Sequence, residues 1–352
     1  MLSYFDAFAE RYRPYKGGAW CYEDGCIYRG LALLHDATGE RRWLDHLVRL
    51  ASAQVAPDGT LSGYAAEDYN IDNILAGRAL FHLDAHAPDP RWMRAADRLA
   101  AQLASHPRIA SGSYWHKKIY PDQVWLDGLY MGLPFQIEYG QKTGQPSLVA
   151  DALSQISEAL SLTAMPGGLY AHGYDDARAQ DWADPASGRS GAVWGRAMGW
   201  LSMAMVDAYA LTGDADLGRQ SAALLARIEA LQQQDGGWLQ VMDHPELPGN
   251  YTESSASAMF AYALRRAARA GLRAPGEAED RAGAFLQSRL SGTPRRLEGI
   301  VCVAGLGGFS GVYRDGTPAY YLTEEVVADD AKGVGPLMMA EAEALLRQTA
   351  DS

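Results

Sequence analysis

An all-α toroid, made of six helical hairpins closed into a ring, is the fold class that the sequence predicts. Three observations carry it. Apolar residues recur at i, i+3, i+4 and i+7 in about eleven segments of the 352-residue chain. Glycine-bearing breaks such as Asp36-Ala-Thr-Gly39-Glu, Tyr139-Gly-Gln-Lys-Thr-Gly144-Gln-Pro and Leu211-Thr-Gly213-Asp end one helix and open the next. Strand signals are confined to short pieces, of which Leu239-Gln-Val-Met is one. An open solenoid of the same hairpins is the alternative. Closure is favoured because long, unequal loops gather the unusual residues, as when one end of a barrel carries a site.

In order, the periodic segments cover 27–34, 43–50, 71–81, 92–103, 123–139, 148–162, 192–211, 217–231, 254–270, 278–290 and 335–346. Glycine stands where a helix-terminating residue belongs, and Asp, Ser or Pro follows near the next start. The spacing of equivalent breaks is irregular but close to one hairpin, so the elements read as a diverged repeat. No linker or low-complexity stretch divides the chain, and residues 1–352 are expected to form a single domain.

Composition narrows the function. A net charge of −12 argues against nucleic acid as a partner but leaves room for a small anion held by a local basic cluster. No run of eighteen apolar residues occurs, which argues against a membrane span. The first residues carry early acids and no long apolar core, so no signal peptide is expected and the cytoplasm is the expected compartment. Cys21, Cys26 and Cys302 give no disulfide framework and no zinc spacing, and read as reduced thiols.

The stretch from His172-Gly-Tyr-Asp-Asp through Trp182-Ala-Asp-Pro and Gly188-Arg-Ser to Trp194-Gly-Arg196-Ala-Met-Gly-Trp200 is the most informative in the chain. It joins imidazole, carboxylates, guanidinium groups and indoles in about thirty residues. Trp is costly to expose and Arg costly to bury, so the combination points to a pocket that stacks on a ring and grips an anion. Asp127 lies in Gln123-Val-Trp125-Leu-Asp127-Gly-Leu-Tyr-Met. An apolar setting raises a carboxyl pKa and suits a general acid, whereas a capping role at a helix start is the plainer reading. Asp72, in Asp68-Tyr-Asn-Ile-Asp72-Asn-Ile, is either a helix cap or a second inward carboxylate. Lys117, in Trp115-His116-Lys117-Lys118, is a candidate anion holder or a solvated turn residue. Glu253 with Ser254 and Ser255 reads as a helix start rich in capping groups. Gly305-Leu-Gly307-Gly lacks the strand and helix of a dinucleotide fingerprint, and no phosphate-binding, zinc-protease or serine-hydrolase motif is present.

Together these runs resemble the unsaturated rhamnogalacturonyl hydrolases, glycoside hydrolase family 105. The resemblance rests on Val124-Trp125-Leu-Asp127-Gly-Leu-Tyr-Met, on the run from His172 to Trp200, on Asn250-Tyr-x-Glu-Ser-Ser-Ala-Ser-Ala-Met, and on Asp330-Ala-Lys-Gly-Val-Gly. It spans about three-quarters of the chain in order, and its specific part is the run from His172 to Trp200. It departs from the family at Thr323-Glu-Glu-Val, where a Pro often follows the Glu, and at Pro336.

The resemblance implies an (α/α)6 barrel in which Asp127 is the catalytic acid/base and Asp72 a second active-site carboxylate. It implies that His172, Trp125, Trp194, Arg196 and Lys117 line the substrate pocket. The substrate implied is an oligosaccharide ending in an unsaturated uronide, with no metal and no organic cofactor required. The related unsaturated glucuronyl hydrolases share fold and reaction type. An ordinary inverting glycosidase, a sugar epimerase and a non-catalytic carbohydrate-binding protein are the rivals. The epimerase would want paired His bases, and the binding protein has no need of an apolar-embedded Asp127.

Overall fold

The computed structural model describes residues 1–350. In chain order its helices are α1 (Leu2–Arg11), α2 (Tyr22–Thr38), α3 (Arg41–Ser52), α4 (Arg78–His86), α5 (Pro90–Ser105), α6 (Leu126–Thr143) and α7 (Pro146–Thr163). Then follow α8 (Gly195–Thr212), α9 (Ala215–Ala230), α10 (Ser254–Arg269), α11 (Glu277–Ser288), the single turn α12 (Pro318–Tyr321) and α13 (Ala331–Ala350). A 3-10 stretch, Ile71–Gly77, leads directly into α4.

Six of these elements form an inner ring. Helix α2 packs on the 3-10 stretch that opens α4, that stretch on α6, α6 on α8, α8 on α10 and α10 on α13; α13 then packs back on α2. This is the (α/α)6 barrel, and the open solenoid is excluded by the last contact. Helices α3, α5, α7, α9 and α11 lie outside, each on its inner partner. The sixth outer helix is α1, tied to the turn before α13 by Tyr4 Oη donating to Asp329 Oδ1 at 2.6 Å and Arg11 to Asp329 Oδ2 at 2.7 Å.

Sequence explains the two layers. Outer helix α3 is amphipathic, burying Trp43, Leu44, Leu47 and Leu50 while Arg41 and Asp45 face water. Inner helix α8 is buried on every side from Gly195 to Ala208, as an apolar helix inside two layers must be. The turns follow the predicted chemistry: Gly39, Gly144 and Gly213 end α2, α6 and α8 at φ of 67°, 70° and 68°, left-handed values that favour glycine.

Several boundaries differ from expectation, among them α2, which begins at Tyr22 and not near Ile27. Helix α1 is additional, in a stretch whose charge pattern hides its apolar face of Tyr4, Phe5 and Phe8. The segment 123–139 begins as a strand, Gln123–Trp125, paired antiparallel with Gly173–Asp175 before α6 starts. Helix α13 starts at Ala331, four residues before Gly335. The strand signal at Leu239 is real but short: Trp238–Leu239 pairs with Thr252–Glu253. Among the described residues no helix is long and apolar enough to cross a membrane.

The ring is closed through glycine. A Cβ placed on Gly335 would lie 2.5 Å from the Cys26 carbonyl carbon, and one on Gly30 would lie 2.7 Å from Met338 Cβ. Backbone cannot yield as a flexible side-chain tip can. Gly335→Ala is therefore expected to destabilise the protein by about 1–3 kcal/mol through overpacking, read as a lower urea midpoint; an unchanged midpoint would mean that α13 can shift freely on α2.

Candidate active site

The inner helices run parallel, so their N-terminal ends gather at one end of the ring with their positive dipole ends together. Five of the six bring a polar residue there: Asp72, Asp127, Arg196, Glu253 and Lys332 all lie within two residues of an inner-element start or directly precede it. This gives an acidic chain a local field that favours an anion.

Asp127 is the second residue of α6, whose start carries no side-chain cap. Pairing of Trp125 with Gly173 sets His172 beside it, and the Leu126 amide donates to the His172 carbonyl at 3.0 Å. His172 Nε2 stands 3.1 Å from Asp127 Oδ2, but the two are not aligned as a hydrogen bond, and both atoms are buried without a partner inside the protein. The other ring nitrogen, Nδ1, is 2.8 Å from the Tyr321 hydroxyl. Burial raises the Tyr321 phenol well above its ordinary pKa, so it is a neutral donor. With the phenol donating to Nδ1, the Nε2 proton faces the Asp127 carboxylate, a tautomer assigned from the network. His172 thus presents an N–H towards Asp127.

Asp72 is not the cap of its helix start. Asn70 is, accepting from the Asp72 amide at 3.1 Å. The Asp72 carboxylate faces the loop before Gln123, with Lys117 Nζ at 2.6 Å and His116 Nε2 at 3.6 Å. That loop is pinned on both sides: the Ile71 amide donates to the His116 carbonyl and the His116 amide to the Gln123 carbonyl. Burial alone would raise the Asp72 pKa, but the Lys117 ammonium, with His116, holds it below the ordinary value. Burial pushes His116 down to about 4, against the pull of Asp72, so this imidazole is neutral.

A buried neutral imidazole takes up its proton less readily in the folded than in the unfolded chain. Its contribution to stability is therefore complete above about 6.5 and declines as pH falls towards about 4, by up to about 1.4 kcal/mol per pH unit for each such group. His106, also lowered to about 4 by burial, acts in the same window. Asp72, also lowered, acts in the same sense, and its stabilisation is lost only at lower pH, below 3.8. Thermal melts across this range are expected to fall with acid, and less steeply in His116→Gln; parallel curves would assign the loss elsewhere.

The aromatic residues form one wall. Trp125 stacks on His116 at 4.3 Å and on Tyr120 at 4.8 Å between ring centroids, and meets His172 edge-on at 5.3 Å. Trp194 leans over His172 at 4.8 Å and stacks on Tyr321 at 5.7 Å, with Nε1 donating to Gln240. Arg196 is 2 % exposed and bonded within the protein. Its Nε donates to Ser255 Oγ at 2.8 Å and its Nη atoms to the Cys302 and Val301 carbonyls, with Glu253 3.8 Å away. Glu253 caps α10, accepting from the Ser255 and Ala256 amides, as its sequence context suggests. Lys117 is the more open cation, at 23 % exposure.

The structure thus gathers Asp127, His172, Trp125 and Trp194 in one cluster, joined through His116 to Asp72 and Lys117, and sets Arg196 beneath Trp194. His116, Tyr120 and Tyr321 belong to the same cluster and were not singled out from sequence. The signal for His116 was its place between Trp115 and Lys117; Tyr321 comes from α12, about 150 residues away, as the separation of 149 to His172 shows. Further buried groups without internal partners, His116 Nδ1, Trp182 Nε1 and Tyr251 Oη, belong to the same end of the ring.

Two carboxylates, one of them against a buried imidazole, thus lie at the end of the helical toroid where its inner helices begin. The family model for Glycosyl Hydrolase Family 88 matches residues 7–348, and the chain belongs to that family. It is 32 % identical to a family 105 glycoside hydrolase of C. acetobutylicum, with a TM-score of 0.86 over 92 % of this chain and 93 % of that one. It is 28 % identical over 262 residues to the unsaturated rhamnogalacturonyl hydrolase YesR of Bacillus subtilis, covering 70 % of each. It is 60 % identical over 230 residues to the 24.9 kDa protein in the picA locus of Rhizobium radiobacter, covering 61 % of this chain and 99 % of that protein. The protein is a glycoside hydrolase of the family 88 and 105 type.

Proposed function

We propose that this hydrolase removes a 4,5-unsaturated uronic acid from oligosaccharides left by a polysaccharide lyase, with unsaturated galacturonate on rhamnose as its substrate. The observation that carries the reading is the Asp127 carboxylate, partnerless inside the protein and facing His172 beside an aromatic wall. Likeness to the rhamnogalacturonyl hydrolase of Bacillus subtilis supports the choice of substrate.

In this reading Asp127 enters protonated and delivers its proton to C4 of the enol ether. Positive charge develops at C5, shared with the ring oxygen. The carboxylate left behind, supported by the His172 N–H, takes a proton from water as that water adds to C5. The hemiketal then opens and releases the sugar at C1. Asp72, held ionised by Lys117, accepts hydrogen bonds from ring hydroxyls. Trp125 and Trp194 flank the flat unsaturated ring, and Lys117 or Arg196 holds the uronate carboxylate. No step draws on a metal or an organic cofactor. Three free cysteines, two of them buried, support a reducing, cytoplasmic setting.

Turnover in heavy-oxygen water tests the mechanism. The label is expected in the ketone of the released uronic acid, trapped before exchange, with loss of the ultraviolet absorbance of the conjugated uronate. Label at the anomeric carbon, or equal turnover of a saturated uronide, would leave a conventional inverting glycosidase as the better account. A panel of lyase-generated disaccharides then separates galacturonate-on-rhamnose from unsaturated glucuronides.

A further inference from the structure

At the other end of the ring, about 20 Å along α2 from its start, α2 and α4 finish side by side with a cluster of imidazoles between them. His35 and Asp36 lie in the last turns of α2, and His82 and His86, four residues apart, share a face of α4. His35 Nδ1 is 3.1 Å from His82 Nε2, the His82 and His86 rings are 4.4 Å apart, and the His35 and His86 rings 4.9 Å. One donor atom from each of the four residues lies within 4.8 Å of all the others, the one such grouping of three or more among the described residues. Three of the eight histidines of the chain are spent here, away from the carboxylates.

We propose that His35, His82, His86 and Asp36 form a binding site for a divalent transition metal of the zinc type. Zinc–nitrogen bonds of 2.0–2.1 Å set ligand atoms about 3.4 Å apart in a tetrahedron, and the His35–His82 pair already stands close to that edge. The remaining donors close on it by side-chain rotation, since His86 and Asp36 are exposed. Metal binding needs unprotonated imidazole. The C-terminal ends of two helices add a field that favours a cation. Arg29 and Arg41 face the cluster and oppose it. That opposition, and nitrogen donors in place of oxygens, select a borderline metal over magnesium or calcium. Four protein ligands leave no open position, so the metal acts as a staple between the first two inner helices and not as a catalyst.

The test uses the full chain stripped with chelator and then titrated with zinc, read by calorimetry, metal analysis and thermal melting. One zinc per chain and a raised melting temperature are expected, and cobalt in its place should show the visible bands of tetrahedral coordination. His82→Gln combined with His86→Gln should weaken zinc binding by more than about 100-fold, beyond the usual cost of an outer-shell partner, and abolish the melting shift while turnover stays unchanged. Should the double variant fold poorly, His86→Gln alone, at an exposed position, should weaken binding at least ten-fold. No uptake by the wild type would overturn the proposal, as would equal uptake and equal melting shift in the variants, the behaviour of an adventitious ion.

Discussion

Asp127→Asn is expected to leave the fold intact and to lower kcat by at least 10²-fold, the scale on which loss of a general acid–base group acts. Structure supplies the reason for both halves of that expectation. The Asp127 side chain is 15 % exposed, caps no helix, and Oδ2 makes no internal hydrogen bond, so the amide breaks none at that atom and the melting temperature should barely move. What disappears is the transferable proton and, after transfer, the carboxylate that His172 supports. Asp72→Asn makes the contrast. It removes the partner of the Lys117 ammonium at 2.6 Å and should alter KM and stability as well as rate. If Asp127→Asn kept more than about a tenth of wild-type kcat, the acid–base role would pass to another residue, with Asp72 the first to examine.

Arg196→Lys carries the second large effect, and it is expected in stability before it is seen in binding. The guanidinium spans Ser255 on one side and the Val301 and Cys302 carbonyls on the other, close to the buried Glu253. A single ammonium cannot reach all of these, and an acceptor left buried without its donor costs about 1–3 kcal/mol. A total loss of about 3 kcal/mol by urea titration is expected. Ser255→Ala serves as the control, since it loosens the same bond and keeps the charge. If KM for the unsaturated uronide rises in Arg196→Lys and not in the control, Arg196 also holds the carboxylate. If KM is unchanged, that role falls to Lys117.

Much of this was legible in the chain itself. Apolar periodicity and the glycine breaks predict the hairpins because inner and outer helices differ in how many faces they bury, and Gly39, Gly144 and Gly213 end helices as read. Asp127, Asp72, His172 and Lys117 are recognisable as polar groups set in apolar or aromatic runs. Other features depend on contacts between distant segments. That Gln123–Trp125 is a strand follows from its partner at Gly173–Asp175, not from its own residues. The guanidinium of Arg196 is absorbed by carbonyls more than a hundred residues away, and local sequence gives no sign of it. Tyr321 enters the site on the same terms, through a hydroxyl that reaches His172 from α12, late in the chain.

The closure of the ring has a consequence for biosynthesis. Tyr4 meets Asp329, and α2 finds its second inner neighbour only in α13. A ribosome adding about 5–20 residues per second needs roughly half a minute to deliver that last helix. Until then the apolar flank of α2 that Met338 and Gly335 will cover stands open to solvent. A chain that has made α10 but not yet α13 leaves that flank without its cover. Cells that make this protein in quantity should depend on chaperone holding of the partial ring, and chains that stall before α13 should be the ones that aggregate.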